Sequence, residues 1–333
     1  MKSCFCSIER GDIVMKKTAS RVFGFLSANM TIVYFLVILS FALIFYPNFA
    51  NSNNIKALIR QAPMPIIRGL AVSFILVLGN VDLSLGYIVG FVSVTQGMLL
   101  DAGVAPALTI LIGLAIGAAF GLVNGVLVAT MRVPSFIVTL GSGYIFYGLA
   151  LIISNGMQYS HLDKAYRAFG VTRLFGNQLM IYYAILLTIA VFLLYRKTAF
   201  GRTLLATGLN QKAATMAGLR TKRALVLSFV IAGLLSSFSA ILLTIRSNAA
   251  QTSLGGLGDF AFEGVTACVL GGTSLNGGKV NVFGIFLAAL TIMIIENLIT
   301  IIQINRYFYQ PVLGVIILLA VLIDSIRSKR SHG

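Results

Sequence analysis

The stretch Ala107–Thr130, ALTILIGLAIGAAFGLVNGVLVAT, contains no Asp, Glu, Lys or Arg. About 20 apolar residues in a helix cross the hydrocarbon layer of a bilayer, so this stretch reads as a transmembrane helix. Gly113, Gly117, Gly121 and Gly125 recur at every fourth position and share one helix face. A face without side chains lets a neighbouring backbone approach closely, which drives helix association in lipid. Whether that neighbour belongs to the same chain or to a second copy is open at this stage.

Outward from this stretch the apolar signal repeats. The chain has 333 residues, 58% apolar and only 10% charged, where a soluble domain carries about 25% charged residues. Ten apolar segments stand out: Met30–Tyr46, Met64–Gly79, Leu85–Leu100, Ala107–Thr130, Ser135–Ile153, Leu179–Tyr195, Ala224–Ile245, Phe260–Leu270, Val282–Ile302 and Gln310–Ile323. The fold class is therefore an all-α polytopic membrane protein with about ten transmembrane helices. The eighth segment is short and reads as a partial or broken helix, which lipid tolerates only where protein or a cavity covers it. The domain plan is a cytoplasmic segment 1–29, a single transmembrane domain 30–326 with a polar loop 196–223, and a basic cytoplasmic tail 327–333. Met15-Lys16-Lys17 offers an alternative start that would leave out residues 1–14.

A formal charge of +16 would suggest nucleic acid in a soluble chain. Between apolar segments the same charge is better explained by loops that hold orientation, with no nucleic-acid partner. With the N-terminus inside and all ten segments crossing, the outer loops hold Lys56, Arg60, Arg68, Lys164, Arg167, Arg173, Arg246 and Arg306, and the other Lys and Arg lie inside. The bias puts both termini in the cytoplasm. On this count no basic residue is left buried within a span. Cys4, Cys6 and Cys268 lack the spacing of a metal or disulfide framework. His161 and His332 stand alone. Gly277-Gly278-Lys279 is followed by Val280 and lacks the first glycine of a phosphate loop. No catalytic residues, metal, cofactor or nucleotide site of the chain's own are expected.

Four polar features interrupt the pattern. The loop Gly201–Arg223, GRTLLATGLNQKAATMAGLRTKR, holds a short helix Gln211–Ala217 that Asn210 can cap and Gly218 can stop. Such a helix, held between two spans, is a handle for a soluble partner. In Asn80–Gly86, NVDLSLG, Asp82 and Ser84 can cap the third span. Gly271–Lys279, GGTSLNGGK, is a permissive glycine loop, a turn or a hinge near a partner. Glu263 and Glu296 lie in or near membrane depth, where a carboxylate is costly and marks a functional candidate; a hydrogen bond to a neighbouring helix is preferred here to a proton relay.

The motifs NVDLSLG, GRTLLATGLNQKAATMAGL and VLGGTSLNGGK, in this order and spacing, resemble the ribose-type ABC transporter permeases, the membrane subunits of bacterial importers for monosaccharides and similar solutes. The likeness covers nearly the whole chain from about Phe45. It implies an ABC importer permease fold in the bacterial plasma (inner) membrane. It also implies a cytoplasmic ABC ATPase that binds ATP and Mg, a second permease subunit (homodimer or sister permease), and an extracytoplasmic solute-binding protein. The chain itself would be a transport subunit, not an enzyme. Gly201, Arg202, Ala206, Gly208, Asn210, Ala213, Ala214 and Gly218 match the ATPase-coupling segment. Asp82, Ser84, Gly86, Gly271, Gly272, Thr273, Gly277 and Gly278 match the motif loops. The chain departs from the family at Asn80, where glycine is usual, and at Ala261 and Glu263, where an acidic pair is usual.

An uncharged solute needs scattered hydroxyl and amide partners along its path and no ion pair. Gln96, Asn124, Ser142, Glu263 and Asn297 are the candidates for lining it, each equally able to bond neighbouring helices together. Two other readings remain: a secondary carrier or channel that works without an ATPase, and a membrane scaffold without transport.

Overall fold

The computed structural model describes residues 30–303 other than Arg132, and several residues between Asn305 and Leu318. Residues 1–29, with Cys4 and Cys6, the basic tail with His332, and most of the tenth expected segment lie outside the described residues. The helices are α1 (Met30–Phe45), α2 (Ser52–Gln61), α3 (Pro63–Leu76), α4 (Leu85–Asp101), α5 (Pro106–Met131), α6 (Ser135–Ser154), α7 (Lys164–Val171), α8 (Leu179–Lys197), α9 (Ala199–Leu209), α10 (Gln211–Met216), α11 (Thr221–Ser247), α12 (Asp259–Leu270) and α13 (Val282–Ile301). Two small antiparallel pairs join them: β1 (Tyr159–Ser160) with β4 (Ala249–Ala250), and β2 (Arg173–Leu174) with β3 (Asn177–Gln178).

Among the described residues, α5, α6, α8, α11 and α13 are long and apolar enough to cross a membrane, and α1 and α4 are shorter apolar helices. Burial sorts the long ones. The apolar window is 67% buried within the chain in α11 and 61% in α13, against 28% in α5 and α6 and 22% in α8. Helices α11 and α13 are therefore the inner ones, and α5, α6 and α8 turn much of their surface outward.

The glycine stripe of α5 packs inside one chain. A Cβ on Gly117 would lie 2.5 Å from the Gly233 carbonyl of α11, and one on Gly121 would lie 2.3 Å from the Phe229 carbonyl. Gly113 instead faces Gln96 of α4. Backbone meets backbone along this seam, so no side chain can be added without moving a helix. Hydrogen bonds reinforce the bundle: Thr244 donates to Ser93 at 2.8 Å, and Asn54 and Asn297 exchange bonds of 3.0 and 2.8 Å. Tyr166 donates to Gln96. Such interhelical bonds contribute roughly 0.6–2 kcal/mol each in membranes.

Helix α12 is the partial helix. Its 12 residues rise only about 18 Å at about 1.5 Å per residue, short of the roughly 30 Å hydrocarbon layer. The irregular segment that leads into it lies against α4. A Cβ on Gly90 would lie 1.9 Å from the Thr252 carbonyl, and one on Gly86 1.6 Å from the Leu257 carbonyl. The glycine face of α4 thus covers backbone that is not helical.

One expectation is corrected. Arg68, counted above with the outer loops, lies within α3 and is ion-paired with Glu263, its side chain only 15% exposed. A largely covered basic residue therefore lies within an apolar helix. Pro63 starts α3 at its first position, where a ring without N–H costs nothing, and this carries the helix through Arg68. Helices α2, α7 and α9 were also not foreseen. Asn51, Asp163 and Thr198 cap them by accepting from Asn53, Ala165 and Gly201 backbone N–H groups.

Gly121→Leu is expected to destabilise the protein by about 3 kcal/mol or more, since overpacking here meets backbone on both helices. Gly148→Ala, with nothing within 4 Å of the added carbon, is expected to be neutral. Thermal unfolding of the purified proteins in one detergent tests both; equal midpoints would contradict the packing.

Candidate functional site

Two of the motifs, far apart in sequence, meet at one junction with Val77, three residues before the third. The Gly278 N–H donates to the Val77 carbonyl at 2.7 Å. Gly208, near the end of α9, sits against both: a Cβ there would lie 1.9 Å from the Val77 oxygen and 2.5 Å from the Gly278 nitrogen. Gly277 and Gly278 hold φ of 85° and 74°, a region that side chains disfavour, and this turns the loop back toward α3. Gly271 packs on the first turn of α13, where a Cβ would lie 2.5 Å from the Ile285 nitrogen. Gly272 also has positive φ, 85°, and Thr273 is fully buried.

From this junction the chain runs out to the polar loop. Gly201 is buried against the end of α8, while Arg202 is exposed and Ala206 half-buried. Asn210 accepts from the Ala213 N–H at 3.0 Å and starts α10. Ala214 is buried; Ala213 and Met216 are exposed, Met216 at 90%. Gly218 ends the turn with φ of 80°. The short capped helix is thus present, stopped one residue earlier than its composition suggests.

The loop before α4 is fixed by a buried polar network. Ser135 and Thr139 of α6 accept from the Val81 and Leu83 N–H groups at 3.1 and 3.0 Å. Asp82 Oδ1 accepts from the Ser84 N–H at 2.8 Å and from its hydroxyl at 2.6 Å, and Asn124 donates to the same hydroxyl oxygen at 2.7 Å. Burial pushes the Asp82 carboxyl up to about 6, while the Ser84 bonds pull it down. The expected caps are corrected here: no side chain caps α4, because Ser84 is engaged by Asp82 and Asn124. Gly86 belongs to the first turn of α4 and to its contact with Leu257.

At the opposite ends of α3 and α12 lies a cavity of about 820 Å³, within the roughly 300–1,000 Å³ range of small-molecule sites. Arg68, Glu263, Asp259, Arg246, Glu296, Gln61 and Tyr309 supply polar groups; Met64, Leu243, Phe262, Ile292 and Met293 supply apolar ones. The Arg68 guanidinium carbon lies 4.9 Å from the Phe260 ring centroid. Ionisable groups at membrane depth that face a cavity mark solute pathways.

Helices α3 and α12 join the two places. Both begin at the cavity and end at the junction, packed through Gly69 against Ala267 and Gly264 against Val72. From Arg68 to Val77, and from Glu263 to Gly271, the helical rise is about 12–14 Å. Helix α13 runs the other way, from Asn281, whose side chain accepts from the Gly284 N–H at 3.0 Å, to Glu296 in the cavity wall.

Of the residues considered for the path, Glu263 lines this cavity. Gln96, Asn124 and Asn297 bond Tyr166, Ser84 and Asn54, and Ser142 donates to the Thr139 carbonyl at 3.2 Å. Sequence reasoning missed Arg68, Arg246, Asp259, Phe260 and Tyr309. For Arg68 a signal existed, since it falls inside the second apolar segment. For the others it did not, because only tertiary packing brings them together.

Comparison with known proteins shows the family. Residues 54–322 match the family model described as branched-chain amino acid transport system / permease component. The chain is 32% identical to the L-arabinose ABC transporter permease protein of Azospirillum brasilense, over 94% of this chain and 91% of that one. It is 32% identical to the ribose import permease protein of Bacillus subtilis, over 85% and 88%. Identity to the galactose/methyl galactoside import permease protein of Salmonella typhimurium is 31%, over 90% and 94%. No solved structure matches.

Gly208→Ala is expected to open the junction, because the Val77 oxygen cannot yield without breaking the Gly278 bond. Amide hydrogen exchange around residues 276–279 should speed up by about tenfold or more, a loss of about 1.4 kcal/mol of local stability. Unchanged protection there would contradict the contact.

Proposed function

From the premise that this chain belongs to the branched-chain amino acid transport system / permease component family, we propose that it is the membrane subunit of an ATP-driven ABC importer for a monosaccharide or similar small polar solute. The convergence of α9 with the loops after α3 and α12 carries this reading. It gives a soluble partner on α10 a rigid route to the cavity. The names of the arabinose, ribose and galactose permeases among the relatives support the solute class.

In this reading about ten helices span the bacterial plasma membrane, both termini lie in the cytoplasm, and the loop 196–223 faces the ATPase. That partner binds ATP and Mg; this chain provides the path and no nucleotide site. A second permease subunit completes the pathway, and an extracytoplasmic binding protein delivers the solute to the outer loops. Closure of the ATPase on ATP moves α10 and α9. Gly208 passes the movement to Val77 and Gly278, and α3 and α12 tilt as packed rods. The cavity at their far ends then changes the side to which it opens. The residues of the coupling segment and motif loops act as fitted surfaces in this chain of contacts, without chemistry of their own.

Met216 is exposed on α10 and touches no core, so Met216→Glu is expected to leave folding intact. It should lower ATP-dependent uptake by about tenfold or more, as loss of a docking anchor does. Uptake of labelled monosaccharide in cells that express the permease together with the ATPase and binding protein of its importer tests this. Uptake that continues with the ATPase deleted would instead favour a carrier acting alone. In the same cells, Asn210→Cys is expected to react with thiol reagents only when these enter the cytoplasm; labelling from outside would overturn the orientation.

A further inference from the structure

The ion pair in the cavity links α3 to α12. A buried pair is weak evidence for stability, since desolvation offsets its attraction. Between tightly packed helices it would be enclosed; here both Arg68 and Glu263 open onto the cavity. Resting on the importer reading, we propose that the Arg68–Glu263 pair is the solute-reading element of this cavity, taking an uncharged polyhydroxyl solute while the surrounding acids turn anions away.

The hydrogen-bonding capacity fits hydroxyl groups. A guanidinium offers five N–H donors and accepts nothing, while a carboxylate only accepts. Arg68 is held by Glu263 and lies over Phe260, yet its Nε is buried with no partner among the described residues. A hydroxyl both donates and accepts. Two neighbouring hydroxyls of a sugar can therefore donate to Glu263 and accept from Arg68 at once. A simple anion satisfies only the arginine, and a simple cation only the glutamate. Phe262, half-exposed at 52% and part of the same wall, offers an apolar surface for the C–H face of a sugar ring.

Charge supplies the selectivity. Among the described lining residues, Asp259, Glu263 and Glu296 outnumber Arg68 and Arg246 by one. In a partly enclosed site at membrane depth such an excess is poorly screened and repels a second negative group. The pair also stands on the two helices that reach the junction. A solute that separates Arg68 from Glu263 thus acts on α3 and α12 directly.

The test is ligand-observed saturation-transfer NMR on the purified full chain in nanodiscs. The probes are D-ribose, L-arabinose, D-galactose and D-galacturonate, the last being galactose with a carboxylate. Signal from at least one neutral sugar and none from galacturonate is expected. Replacing both partners, R68Q with E263Q, keeps an uncharged hydrogen-bonding pair and is expected to weaken the neutral signal about tenfold or more. Glu296→Gln removes one acid and is expected to admit galacturonate. If the double variant unfolds early in a thermal scan, Glu263→Asp serves instead and is expected to weaken the neutral signal by drawing the carboxylate back. Wild-type binding of galacturonate as strong as galactose, no binding of any neutral sugar, or variants that bind neutral sugars like wild type would overturn the proposal. ATP-dependent uptake measured in parallel keeps the readings apart: if it persists while these outcomes occur, the importer reading stands and only the solute-reading pair falls.

Discussion

Irregular backbone at membrane depth must be covered by protein, because lipid offers no hydrogen bonds. The segment entering α12 meets this constraint through Gly86 and Gly90 of α4, whose bare faces let the Thr252 and Leu257 carbonyls approach closer than any side chain would permit. The break in turn makes α12 short, so that its N-terminal end stops inside the protein. That end carries Asp259, Phe260 and Glu263, and the space above it is the cavity. A full-length helix in the same place would fill this space with its own turns.

The same break explains the mechanical layout. Helices α3 and α12 lie side by side in the same direction, both starting at the cavity and both ending in loops that turn sharply. Those loops are joined by the Gly278–Val77 bond, and α9 rests on the joint. Close packing makes such an assembly transmit displacement instead of absorbing it. A glycine contact is suited to this because it brings backbone onto backbone, with no flexible side chain between them. The polar network around Asp82, Ser84 and Asn124 anchors the neighbouring loop to α5 and α6, so this anchored loop adjoins the Gly278–Val77 joint.

Much of the fold was legible because membranes impose a simple code. Apolar runs such as Ala107–Thr130 reported their own burial in lipid, and Asn210 announced its helix through a local bond to Ala213. The short eighth segment was readable for the same reason: length alone cannot reach across. The site was less legible. Arg68 looked like a loop charge because charge counting assigns residues to sides, while its partner Glu263 is nearly 200 positions away. Helix α9 went unseen because Thr198 caps it within a stretch that composition alone reads as polar loop. Gly208 stood out only as part of the coupling segment; its contact with the Val77 and Gly278 backbones comes from tertiary packing.

The polar residues inside the bundle divide by what they have left to offer. Asn54 and Asn297 satisfy each other, as do Ser93 and Thr244. Gln96 and Asn124 are fully buried and bonded to Tyr166 and Ser84. These groups tie helices together, although Gln96 Nε2 and Asn124 Oδ1 are buried without a partner among the described residues. Arg68, Glu263, Arg246 and Glu296 instead share a wall with open space. Arg68 and Glu263 lie within apolar helices, where holding a charge costs stability. The hydrogen-bonded pairs account for cohesion without them. These charged groups are the ones with open space in front of them, and in the proposed reading that space is where a polar solute meets its partners.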